Sequence, residues 1–139
     1  MKELMEEKAA GWFTKGYNCC QSILLAARET YALEMNPDFL IEIGRFFREG
    51  MASGCTCGAL VGAEMALGLV NKEQGLNLPP ETAGALHDRF VKAFGSSCCR
   101  VLRKKQGVIG KMTKQGCKKI TAGTAGLLYE LIEEIRSSN

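Results

Sequence analysis

Residues 57–70 read "CGALVGAEMALGLV", and Gly58, Gly62 and Ala66 recur in this stretch at every fourth position. Residues four apart share one face of a helix, so these three make a smooth stripe on which a second helix can pack closely. The same stripe offers an alternative use, a glycine-lined pocket in which Gly58 and Gly62 contact a cofactor. Either use asks for a helix in the company of other helices. Strand formers are sparse beside Ala, Leu, Gly, Glu and Lys, which agrees with that reading.

Start and stop signals extend it along the chain. Leu4, Met5, Lys8, Trp12 and Phe13 keep a helical rhythm that Gly16 ends, giving a first helix over about 2–15. Asn18 is a good N-cap with Gln21 in the capping-box position, so a second helix starts at Cys19. Asn36 followed by Pro37 opens a third, expected to run through "DFLIEIGRFFREG" to Gly50. Thr56 can cap the fourth, from Cys57 to about Val70. "ETAGALHDRFVKAF" is a fifth, ended by Gly95. Ser96 or Ser97 can cap a short sixth, "CCRVLRKKQ", ended by Gly107, and Cys117 opens the seventh, "CKKITAGTAGLLYELIEEI". No repeat or long linker divides the chain. The expected fold is all-α, a bundle of about six to seven helices forming one domain over residues 1–139, a length that suits a single core.

The opening "MKELMEEKAAGWF" carries three glutamates and no greasy run, which is wrong for a secretory signal. The least charged stretch, Met51 to Val70, is broken by Glu64, Ser53, Thr56 and four glycines, so no membrane insertion is expected. These features suggest a cytoplasmic protein. The run from Arg100 to Lys119 holds Arg100, Arg103, Lys104, Lys105, Lys111, Lys114, Lys118 and Lys119 without an acid. It lacks interleaved aromatics and any nucleic-acid signature, so no nucleic acid is expected; it reads as solvated surface, or as a field that lowers the pKa of Cys99 and Cys117.

Seven cysteines remain to be explained. The number is odd and the compartment is read as reducing, so a complete disulfide framework is not expected. Cys19–Cys20, Cys55–Cys57, Cys98–Cys99 and Cys117 all fall in or just before the first turn of an expected helix. A helix start exposes unpaired amides and the positive end of the macrodipole, both of which favour thiolate. By this argument Cys57 should titrate below the ~8.5 of a free thiol and react faster than Cys55. Some of the seven are expected to be small buried fillers.

The sequence resembles a known family at these positions. "NCCQSILLA", "CGALVGAEMALGL", "CCRVL" and "GCKKI" look like the redox-active proteins named for the pattern C, GCAxxG, C, C, in order and spacing over nearly the whole chain. Mapped residue by residue, the family cysteines fall on Cys19, Cys57, Cys99 and Cys117. Cys20 stands where alanine is usual, Thr56 where a small residue is common, and Cys20, Cys55 and Cys98 are extras. The resemblance implies a cytoplasmic all-α protein with redox chemistry and an unknown redox partner, and names no substrate.

Two chemistries follow for the four matched thiols. They ligate an iron–sulfur cluster for electron transfer, whose four-thiolate ligation fits the count, or they cycle between dithiol and disulfide. Zinc is a weaker third, because Cys55–Cys57 is not a C-x₂-C knuckle. Covalent haem is not supported, since no C-x-x-C-H occurs and the one histidine, His87, precedes Asp88. The alternative class is a helical binding or scaffold protein, a homodimer or transport-associated partner, in which Gly58, Gly62, Ala66, Ala122 and Gly126 make the contacts and the cysteines are structural. Glu64 lies seven residues from Cys57, roughly on the same face, and reads as an exposed helix-face carboxylate before an acid–base group; His87 reads as packing or surface.

Overall fold

A computed structural model describes residues 1–107 and 114–138. Its α-helices are α1 (Lys2–Thr14), α2 (Cys19–Thr30), α3 (Pro37–Ile43), α4 (Gly58–Glu73), α5 (Glu81–Phe94), α6 (Cys99–Lys105) and α7 (Gln115–Ser137). Among the described residues no strand forms, and one isolated antiparallel bridge pairs Thr56 with Cys98. The all-α expectation holds. Lys111, part of the basic run, lies outside the described residues.

The start of α2 is built as its residues suggest. The Gln21 amide donates to the Asn18 side chain at 2.8 Å and the Asn18 amide to the Gln21 side chain at 3.0 Å, a reciprocal cap that satisfies two donors at once. The same asparagine explains why α3 stops short. It was expected to reach Gly50 and ends at Ile43, capped by Gly44. Asn18 Nδ2 donates to the carbonyls of Gly44 and Arg45 at 3.0 and 3.3 Å, and Gln21 Nε2 donates to Ile41 O at 2.8 Å. A distant side chain thus takes the carbonyls that a longer helix would have used.

Two further boundaries differ from expectation. Thr56 does not cap α4: it faces Cys98 across the bridge, and Cys57 takes the cap position. Cys98, not a serine, precedes α6, and its amide donates to the Ser96 hydroxyl at 3.0 Å.

Buried residues of α1, α2, α4, α5 and α7 form one core, with Met5, Ile23, Leu24, Leu86, Phe90, Leu128 and Ile132 all at zero exposure. Each large apolar side chain so buried contributes roughly 1.5–3 kcal/mol. α2 sits at the centre, buried continuously from Cys20 to Ala27. The glycine stripe of α4 lies on it: a Cβ at Gly62 would come within 2.7 Å of the Cys20 carbonyl oxygen, and one at Gly58 would strike the Phe47 carbonyl. Gly126 of α7 is likewise covered within the chain, by Glu6 and Lys2 of α1. The glycines expected to meet a second copy therefore pack within the chain, Gly62 and Gly126 on neighbouring helices and Gly58 on the loop after α3. No described helix is long and apolar enough to cross a membrane.

Candidate functional site

The bridge between Thr56 and Cys98 draws two cysteine groups together. The Cys57 amide donates to Ser97 O at 2.8 Å and the Cys99 amide donates to Cys55 O, so the segment before α4 runs against the segment before α6. Close approach here needs Gly50, whose φ is +63 and whose missing Cβ would lie 2.9 Å from Cβ of Cys99. The start of α2 and the start of α7 close the other sides. Cys19, Cys57, Cys99 and Cys117 then line one cavity of about 420 Å³.

Each thiol comes from the start of a different helix: Cys19 is the first residue of α2, Cys57 the cap of α4, Cys99 the first residue of α6 and Cys117 the third of α7. Their three neighbours lie elsewhere. Cys20 is wholly buried, Cys55 is exposed, and Cys98 turns its thiol to Gly54 O at 3.2 Å. Among the described residues no three His, Cys, Asp or Glu side chains form a group that could hold a metal ion, so the four sulfurs line the wall without meeting at one point.

Burial governs their protonation. Desolvation pushes Cys19 up to about 12, against the Thr121 hydroxyl beside it. Burial also carries Cys57 up to about 11, although the amides of Ala59 and Leu60 are turned toward its sulfur without closing a regular cap bond. Cys99 is raised as well, since desolvation outweighs the Arg103 guanidinium that favours its thiolate. Two expectations are corrected here. The helix start and the basic run do act on Cys57 and Cys99 in the expected sense, but removal of water is the stronger effect.

Gly58 lines the cavity, whereas Gly62 lies outside it, against the Cys20 backbone. Several lining residues were not anticipated. Gln106 Nε2 points to Sγ of Cys117 at 3.5 Å, and Asn18, Arg48 and Tyr17 stand in the wall. No periodicity or spacing marks them, because their place depends on how α6 and the 45–49 loop fold back on α2.

Glu64 is not the exposed carboxylate expected. It is half-buried, its Oε1 is buried without a hydrogen-bond partner, and desolvation pushes it up to about 7 against the pull of His87. It does not line the thiol cavity. His87 is exposed and lies 3.2 Å from Asp88, a surface position as expected.

No curated protein and no solved structure is significantly similar to the chain. The family model described as "Putative redox-active protein (C_GCAxxG_C_C)" matches residues 17–131, a span that includes all four cavity cysteines, the whole of α2, α4 and α6 and most of α7. The chain belongs to this family.

Proposed function

We propose that Cys19, Cys57, Cys99 and Cys117 are the working groups of an electron-transfer protein and act together as ligands of an iron–sulfur cluster. The observation that carries this reading is the opening of four thiols, one from each of four helix starts, onto one cavity. The donor set fits in kind and number: four cysteine sulfurs are the usual complement for such a cluster, whose several iron atoms share them, so sulfurs spread along one wall would serve without meeting at a single ion. A cluster held there would supply a one-electron couple.

The protonation states favour ligation over free thiol exchange. Exchange needs a standing thiolate, and Cys19 and Cys57, at about 12 and 11, hold almost none at neutral pH. Metal ligation removes the proton outright, so a thiol too basic for exchange is still a competent ligand. Around the sulfurs, Gln106 donates toward Cys117 and the Ala59 and Leu60 amides face Cys57, which would orient and stabilise ligating thiolates. The scaffold reading loses its support where Gly58, Gly62 and Gly126 pack within the chain.

Anaerobic purification and reconstitution with ferrous iron and sulfide test the proposal. The expected result is iron and acid-labile sulfide in matching amounts with a visible absorption band. A colourless, iron-free protein with full activity in a thiol-exchange assay would replace it with the dithiol/disulfide couple.

A further inference from the structure

The cavity walls carry charge as well as sulfur. Arg48, Arg103, Lys114 and Lys118 line the cavity against one carboxylate, Glu49, which stands 3.8 Å from Arg103. Among the described residues Arg48, Lys114 and Lys118 make no ion pair. A concave site with one sign of charge on low-dielectric walls concentrates potential and draws in counter-ions.

The rest of the wall is apolar. Phe13, Tyr17, Phe47 and Leu102 face the same space, whose volume of about 420 Å³ falls in the ~300–1,000 Å³ span of small-molecule sites. An inorganic ion would leave these side chains without a partner, and a neutral apolar molecule would leave three cations without one.

We propose that the cavity binds a small organic anion, a molecule with an apolar body and a carboxylate, sulfonate or phosphate, its acid group met by Arg48, Lys114 and Lys118. This rests on the reading that the thiol cavity is the working site, and adds to it the class of molecule that enters beside the sulfurs. A concave wall in which cations and aromatic rings are interleaved suits a small ligand better than the flat face of an acidic protein.

The probe is 8-anilinonaphthalene-1-sulfonate, titrated by fluorescence into the protein as purified anaerobically. Its neutral analogue N-phenyl-1-naphthylamine has the same rings without the sulfonate. The expected result is one sulfonate probe per chain, bound at least about tenfold more tightly than the neutral analogue, with affinity falling as salt rises. The double variant Arg48→Gln, Lys118→Gln should weaken the sulfonate probe by about tenfold and leave the neutral analogue unchanged. Equal affinity for the two probes, or binding indifferent to salt, would overturn the proposal in the unaltered protein, even if the double variant failed to fold. So would a site that answers only to protein-sized acidic partners. Iron and sulfide measured on the same sample report separately on the cluster, so either reading can fail without the other.

Discussion

Cys57 shows how two physical effects compete at one residue. A helix start contributes about 0.3–1 kcal/mol to a negative charge at an exposed position and up to ~2 in favourable geometry. A pKa unit corresponds to about 1.36 kcal/mol, so this supplies roughly one unit of lowering. Full burial raises a thiol by up to ~3–5 units, and Cys57, pushed up to about 11, moves in the direction of burial. The helix start was legible in Gly58 and the segment after it. The burial was not, because Cys57 packs against the segment before α6, remote in sequence, whose Ser97 carbonyl accepts from its amide. In the metal-free protein the alkylation rate of Cys57, followed in a single-cysteine variant, should be slower than that of exposed Cys55 at neutral pH. It should climb about tenfold per pH unit from 7 to 10 without a plateau, since the thiolate fraction keeps rising below the pKa. A plateau below pH 9 would mean that helix-start stabilisation prevails after all.

Glu64 follows the same logic with a carboxyl group. Its folded pKa of about 7 lies above the usual value of 4.5, so the native state binds the extra proton and stability falls as pH rises from about 4.5 to about 7. Glu64→Gln should therefore raise the urea midpoint at pH 8 and change it little at pH 4. A midpoint gain of equal size at both values would show that burial of charge is not the cause.

At the scale of elements, the crossing of α2 and α4 sets where two of the thiols stand. The four-residue stripe announced close packing, and the reciprocal cap of Asn18 and Gln21 announced the start of α2. The early end of α3 could not be read locally, because Asn18 supplies the bonds that end it from outside that segment. Two glycines of α4 separate packing from propensity. Gly62→Ala places a methyl 2.7 Å from the Cys20 carbonyl and should destabilise by about 1–3 kcal/mol, while shifting Cys19 relative to Cys57 and lowering iron loading. Gly68→Ala meets nothing within 4 Å and should stabilise by up to about 1 kcal/mol with loading intact. Chemical denaturation and iron analysis of the two variants check both. Equal stability of the pair would contradict the packing described for Gly62.

At the scale of the whole molecule, order and convergence are different kinds of information. The order of the cysteines along the chain and their fall at helix starts were legible, as was the match of Cys19, Cys57, Cys99 and Cys117 to the family pattern. Their meeting at one cavity was not, since it depends on the Thr56–Cys98 bridge and on the return of α7 alongside α1 and α2. Which member of each pair faces the cavity was indicated by the resemblance alone and by no local pattern: the neighbours Cys19 and Cys20 face opposite ways, one to the cavity and one to the core.

In the proposed function four cysteines act as one set and the other three do not. Iron and acid-labile sulfide per chain, measured after anaerobic reconstitution of each single variant, test it directly. Cys19→Ser, Cys57→Ser, Cys99→Ser and Cys117→Ser should each lower loading sharply, whereas Cys20→Ala, Cys55→Ser and Cys98→Ser should load as the unaltered protein does. Full loading in the first four, or equal loss in Cys55→Ser or Cys98→Ser, would rule out this ligand set.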